Sequence, residues 1–180
     1  MPATHLALLR GINLGGNYKL AMRDLVALFV AAGCRDARAY IQSGNVVFSA
    51  DTDVAATLPG VISAQIAERF GYRVPVVLRT TEEMGEVVAH NPFLAAETAD
   101  AALHVYFLAG VPDAARVASL DPDRSPPDTF IVRGREIYLR LPAGMARTKL
   151  TNAYFDARLA TISTARNWRT VTTLYEMLRG

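Results

Sequence analysis

The order of apolar runs and helical patterns in the first ninety residues constrains the fold of this chain most strongly. The periodicity predicts strands over residues 5–9, 37–42, 46–49 and 74–78, and helices over residues 22–32 and from Pro59 to Gly71. This βαββαβ order is typical of a ferredoxin-like split βαβ unit, in which both helices cover one face of an antiparallel sheet. The first half is therefore predicted to be ferredoxin-like.

The second half reads as an incomplete copy of the first. After a helix over residues 81–89, the pattern predicts a strand over 103–108, a short helix over 113–120, a hairpin over 129–132 and 136–141, and helices over 150–159 and 171–178. No closing strand is predicted. We expect an α+β fold of two ferredoxin-like halves, residues 1–79 and 80–180, the second incomplete and carrying C-terminal helices, packed as one compact unit.

A loop rich in glycine and asparagine joins the first strand to the first helix, with the sequence Arg-Gly-Ile-Asn-Leu-Gly-Gly-Asn-Tyr-Lys over residues 10–19. Such a loop can bring backbone N–H groups and a helix N-terminus close to an anion. It is not a P-loop, because Asn17 and Tyr18 stand where that motif needs Lys and Ser or Thr. The alternative is that Gly15 and Gly16 merely form a turn and that Asn17 or a neighbour caps the helix.

A second turn is predicted to share this site. In a split βαβ unit the first two strands run parallel, so the loop after the first and the turn after the second lie at the same end of the sheet. The ligand-binding candidates in this half are therefore Arg10, Asn13, Gly15, Gly16, Asn17, Lys19, Gln42, Ser43 and Asn45.

Two basic segments of the second half, residues 147–151 and 166–169, lie at or just before helix starts. Arginine forks and free N–H groups at such positions can bind a phosphate together. The candidates there are Arg147, Lys149, Arg166, Asn167 and Arg169. The alternative is ordinary capping by Thr148 and Thr170 with solvated arginines, and Trp168 is expected to be a packing anchor.

The sequence assigns no catalytic residue, metal site or cofactor. His5 and His104 lie in strand patterns and are expected to be structural, and His90 lies at a helix end; no pair has metal-ligand spacing. Ser43 lacks the context of a nucleophile elbow. The single cysteine, Cys34, excludes an internal disulfide and a zinc cluster of the usual cysteine type.

Charge and hydropathy limit the partners and the location. A net charge of +2 is too small to indicate nucleic-acid binding by bulk electrostatics, although seventeen arginines accompany two lysines. No run approaches the roughly 20 apolar residues of a membrane span, and no signal peptide is recognised. We expect a cytoplasmic protein without a membrane partner.

Four stretches carry a resemblance to a known family: Leu-Leu-Arg-Gly-Ile-Asn-Leu-Gly-Gly at residues 8–16, Tyr-Ile-Gln-Ser-Gly-Asn-Val-Val-Phe at 40–48, Asn-Pro-Phe at 91–93, and Thr-Ala-Arg-Asn-Trp-Arg-Thr at 164–170. With these, essentially the whole chain resembles the bacterial family called domain of unknown function 1697. Ala165 departs from the Thr that the family often has there. The resemblance implies an α+β fold of two ferredoxin-like halves and brings no activity, cofactor or catalytic residue.

The preferred functional hypothesis is binding of a phosphate-bearing ligand, a nucleotide or a nucleic-acid segment, at the Gly/Asn/Arg-rich loops. Sequence-specific RNA readout is disfavoured because the second and third strands lack an aromatic-rich pattern. One alternative is an enzyme acting on a small phosphorylated or carboxylated substrate, with Arg10, Lys19 or Lys149 as electrophilic stabilisers. The other is a structural protein–protein interaction module.

Overall fold

The first half of the chain forms a four-stranded antiparallel sheet with two helices. The computed structural model describes residues 3–95 and 98–180. Its first elements are β1 (Ala3–Leu9), α1 (Met22–Ala31), β2 (Arg35–Tyr40), β3 (Asn45–Ala50), α2 (Thr52–Phe70) and β4 (Val76–Thr80). The strand order is β2-β3-β1-β4, so β1 is internal beside β3, as the split βαβ arrangement predicts.

The second half repeats this arrangement in full. Its elements are α3 (Thr81–Ala89), a short 3-10 helix (Asp100–Ala102), β5 (Leu103–Leu108), α4 (Ala114–Ala118), β6 (Thr129–Arg133), β7 (Glu136–Arg140), α5 (Asn152–Leu159), β8 (Ser163–Asn167) and α6 (Trp168–Arg179). The strand order is β6-β7-β5-β8. The prediction that a closing strand is missing was wrong, because β8 fills that place. Its sequence, Ser-Thr-Ala-Arg-Asn, has no apolar alternation, and pairing with β5 determines its conformation.

The registers of the two sheets show that the halves are related as an internal repeat. His5 of β1 lies opposite Thr80, and His104 of β5 lies opposite Asn167. One position along, Arg79 and Arg166 occupy equivalent places in β4 and β8. The pattern His-x-x-x-Leu-x-Gly occurs in both halves, at residues 5–11 and 104–110.

The chain forms two compact units, one of residues 1–85 and 174–180 and one of residues 86–173. In the first, the helix-covered face of the sheet packs against α1 and α2 through Leu9, Phe29, Phe48, Ile62 and Ile66. In the second, an aromatic cluster of Tyr106, Phe130, Tyr154 and Phe155 packs with aliphatic residues. No helix in the described part of the chain combines the length and the apolarity that a membrane crossing requires.

Helix α2 begins seven residues before its predicted start. Pro59 was expected to open it, but the helix starts at Thr52 and Pro59 lies inside. An internal proline removes one backbone hydrogen bond and costs about 3 kcal/mol. Ala55 and Leu58 extend the buried stripe of the helix, and their burial offsets that cost. The helix ends as predicted at Gly71, with φ of 80°.

Candidate anion-binding site

The glycine loop after β1 is a small hairpin. Leu14 and Asn17 form an isolated antiparallel bridge, and the Asn17 N–H donates to the Leu14 carbonyl at 3.0 Å. Gly15 and Gly16 form the turn with φ of 56° and 82°, the left-handed values that a type I′ turn requires. The glycines are therefore needed for the turn itself, as the alternative hypothesis predicts.

Asn13 ties this hairpin to the second turn. Its Nδ2 donates to the carbonyls of Leu20 and Gln42 at 2.9 Å each, and its Oδ1 accepts from the Leu20 N–H at 2.9 Å. The Leu9 N–H also donates to the Gly44 carbonyl at 2.8 Å. The loop and the turn therefore meet at one end of the sheet, where the topology predicts them.

A cavity of about 400 Å³ lies where these segments meet the start of α1. It is lined by Asn13, Gly16, Lys19, Leu20, Ala21 and Gln42. The alternative prediction that Asn17 or a neighbour caps α1 was wrong, because the N-cap is Ala21, which has no capping side chain. The first turn of α1 therefore has no side-chain cap, although the acidic Asp24 lies in it. Lys19 adds a full charge on an exposed side chain that forms no ion pair with a described residue.

An aromatic pair adjoins Lys19. The rings of Tyr18 and Tyr72 are 4.8 Å apart, and the Tyr72 hydroxyl donates to the Lys19 carbonyl at 2.9 Å. Tyr18 is 56% exposed, so part of the residue is open to a ligand. No local sequence pattern indicates this pair, because Tyr72 lies 53 residues from Lys19 and only the fold brings them together.

The other candidates of the first unit serve the loop or the turn. Asn45 is fully buried, and its Nδ2 donates to the Tyr40 carbonyl and to the Ser43 Oγ. Arg10 is half-buried, does not line the cavity, and donates its backbone N–H to the Pro75 carbonyl at 3.1 Å.

In the second unit, the basic segments occupy different places. Arg166 is buried in β8, where it donates to the Thr164 Oγ1 and the Ala165 carbonyl, and burial lowers its pKa to about 10. Arg147 and Lys149 lie in the loop before α5, outside any regular element.

The helix caps of the second unit differ from the predicted ones. Thr151, not Thr148, caps α5 by accepting from the Tyr154 N–H. At α6, the Thr170 N–H donates to Asn167 Oδ1 at 2.8 Å, so Asn167 is the capping residue. Each cap was misplaced by three residues along the chain, because hydroxyl and amide side chains near a helix start compete for the same role.

A second cavity, of about 430 Å³, lies within the second unit. It is lined by Asp100, Ala101, His104, Asn167, Arg169 and Thr172. The structure thus brings Asn167 and Arg169 together with a histidine that sequence analysis took to be structural. Trp168 is buried, as expected for a packing anchor. Among the described residues, no group of three or more His, Cys, Asp or Glu side chains could hold a metal ion.

The two strand histidines make stability depend on pH. Burial lowers the pKa of both His5 and His104, and the charges of Glu82 and Glu83 partly oppose this at His5. A lowered pKa in the folded state means that the unfolded chain binds more protons below about pH 6.5, so stability falls on acidification through that range. We expect the free energy of unfolding in urea to fall between pH 7 and pH 5, by at most about 1.4 kcal/mol per pH unit for each histidine. A free energy that rises over this interval would contradict the assignment.

The family model for a protein of unknown function, DUF1697, matches residues 3–138. The chain belongs to the DUF1697 family. A conserved bacterial protein from Streptococcus pneumoniae has a similar solved structure, with a TM-score of 0.72 and 21% sequence identity over 100% of both chains. At this identity the likeness shows the shared fold. No curated protein matches the chain. Neither the family nor the pneumococcal protein is described by a ligand or a reaction.

Proposed function

We propose that this DUF1697 protein binds a small phosphate-bearing ligand of the nucleotide type in the cavity at the start of α1. The observation that carries the proposal is the combination of Lys19 with a helix N-terminus that has no capping side chain. Peptide N–H groups and the helix dipole favour an anion at such a position, and a lysine ammonium adds a charge-assisted hydrogen bond.

The length of the loop supports a role beyond connection. In the second half, β5 is joined to α4 by the five residues 109–113. In the first half, the equivalent connection from β1 to α1 takes the twelve residues 10–21. The additional residues build the hairpin, and the hairpin supplies Gly16 and Lys19 to the cavity wall. Because the repeat folds with the short connection, the long one is available for binding.

The surroundings favour a nucleotide over a long polyanion. Lys19 is the one cationic side chain among the described residues that line the cavity, which suits a ligand with one or two phosphates. The exposed ring of Tyr18 lies next in the chain and offers a face on which a base can stack. The proposed ligand therefore places its phosphate at the start of α1 and its base against Tyr18.

Replacing Lys19 tests the proposal. We expect Lys19→Gln to weaken ADP binding by about 1–3 kcal/mol, the loss of one charge-assisted contact, as measured by calorimetry. The melting temperature of the free protein should stay the same or rise, because the substitution removes a cation near the positive end of a helix. Arg23→Gln is the matched control, since Arg23 is 90% exposed in the first turn of α1 and does not line the cavity.

Two further probe ligands and a salt titration define the ligand class. Inorganic phosphate should bind more weakly than ADP, because it cannot stack on Tyr18. A single-stranded oligonucleotide should bind no more tightly than ADP. For both ligands, the slope of log affinity against log salt concentration should correspond to one or two phosphates. A steep slope with a preference for the oligonucleotide would show nucleic-acid binding instead. Equal ADP affinities of Lys19→Gln and Arg23→Gln would overturn the proposed site.

A further inference from the structure

The junction of β4 and α3, at the end of the first sheet, holds carboxylates of the chain itself. Thr80 caps the helix, with its Oγ1 accepting from the Glu83 N–H at 3.2 Å and its own N–H donating to Glu83 Oε2 at 2.9 Å. Hydrogen bonds from its own backbone N–H and from the Thr80 side chain lower the pKa of Glu82. Both carboxylates act electrostatically on His5, on the neighbouring strand.

The equivalent junction of β8 and α6 lacks these carboxylates. Asn167 takes the place of Thr80 and His104 that of His5, as the strand registers show. Counting on from the cap, Arg169 and Thr170 stand where Glu82 and Glu83 stand at the first junction. No carboxylate among the described residues contributes to the pKa of His104. The helix start and the histidine are retained, and Asp100, which lines the cavity, does not stand in the place of Glu82 or Glu83.

Two side chains at this junction have unmet polar capacity. His104 is 8% exposed; a backbone hydrogen bond with Ala102 acts on its ring, and its buried Nδ1 has no hydrogen-bond partner among the described residues. Arg169 is exposed and forms no ion pair within the described part of the chain. Both line the cavity of about 430 Å³, which therefore opens on the start of α6 beside a buried histidine and this arginine.

We propose that this cavity binds the carboxylate group of a small molecule, in the place that the Glu82 and Glu83 side chains occupy at the first junction. The Arg169 guanidinium pairs with the carboxylate, the positive end of the α6 dipole stabilises its charge, and the His104 ring forms the floor. This site lies in the second unit and does not depend on the nucleotide proposal.

The wall of the cavity also selects for low ligand charge. Asp100 lies on the same cavity as Arg169, so it repels every anion there and repels a dianion more strongly than a monoanion. A monocarboxylate needs one cationic partner, whereas inorganic phosphate and polyanions bring more negative charge to a site with one arginine. The first junction, moreover, is completed by carboxylates. Carboxylate is therefore the chemical class that the repeat itself indicates.

Histidine ring signals of the full-length protein in NMR spectra test the proposal. The chain has three histidines, so His104 can be followed directly, with His90 as an internal reference outside the cavity. We expect acetate and propionate to shift the His104 ring signals in a saturable way, and inorganic phosphate at equal ionic strength to bind more weakly. Arg169→Gln should weaken acetate binding roughly tenfold, the value of one charge-assisted contact. Arg147→Gln changes an exposed arginine outside the cavity, so it should leave acetate binding unchanged.

A second variant imitates the first junction. Arg169→Glu places a carboxylate at the position equivalent to Glu82, so it should abolish acetate binding without lowering the melting temperature. Equal acetate affinities of Arg169→Gln and Arg147→Gln would identify an adventitious ion only. That result, an absence of His104 shifts up to saturating acetate, or tighter binding of phosphate would each overturn the proposal.

Discussion

Gly44→Ala is expected to lower the free energy of unfolding by about 2–4 kcal/mol. Gly44 has φ of 79°, a left-handed conformation that costs alanine about 1 kcal/mol or more. An added Cβ would also lie 2.7 Å from the Leu9 Cβ and 2.9 Å from the Ile12 Cδ1. Both neighbours are buried and cannot move into solvent, so the clash adds a packing cost of about 1–3 kcal/mol. Urea unfolding monitored by circular dichroism measures the change.

Gly71→Ala separates conformational strain from the clash. Gly71 has nearly the same φ, 80°, but an added Cβ there would have no heavy atom within 4 Å beyond its chain neighbours. Its substitution should cost only the conformational part, about 1 kcal/mol. If the two variants lose the same stability, the close approach of the Gly44 turn to Leu9 and Ile12 does not exist in solution. The comparison therefore tests the contact that holds the second turn against the glycine loop.

Elements with strong local signals could be predicted from the sequence, and elements determined by pairing could not. The bounds of α3 and β5 agree with the prediction, because each has a clear periodicity and a clear stop. Strand β8 has neither, and its conformation depends on hydrogen bonds to β5. The predicted helix α2 was too short, because proline is a strong local signal for a helix start. In the structure, the burial of Ala55 and Leu58 overrides that signal.

For the candidate site, topology could be predicted but the roles of individual side chains could not. The meeting of loop and turn follows from the strand order alone. Asn13 lies in the glycine loop and Asn45 is the first residue of β3, yet Asn13 lines the cavity and Asn45 is fully buried. The burial of each asparagine decides its role, and burial depends on the fold and cannot be read from the neighbouring residues in the sequence. The place of His104 on a cavity is not visible in the sequence either, because the comparison with His5 needs both sheet registers.

Asn13→Ala should lower the free energy of unfolding by about 3–4 kcal/mol, and the variant should also lose ADP binding. The substitution removes three hydrogen bonds of 2.9 Å, each worth about 1 kcal/mol. The Leu20 N–H, in a residue that is 1% exposed, loses its partner. Alanine also tolerates the φ of 55° less well than asparagine does. Urea unfolding and calorimetry with ADP report the two losses separately.

Asn13→Gly and Asn17→Ala show which part of this loss comes from the hydrogen bonds. Glycine adopts a positive φ without strain, so Asn13→Gly should keep the backbone and lose about 2–3 kcal/mol through the missing contacts. Asn17 is exposed in the same hairpin and uses its backbone N–H, so Asn17→Ala should change stability by less than about 0.5 kcal/mol. If Asn13→Gly is as stable as the natural protein and binds ADP equally well, the Asn13 side chain does not hold the loop to the Gln42 turn. In that case the cavity at the start of α1 is not fixed in the shape on which the nucleotide proposal depends.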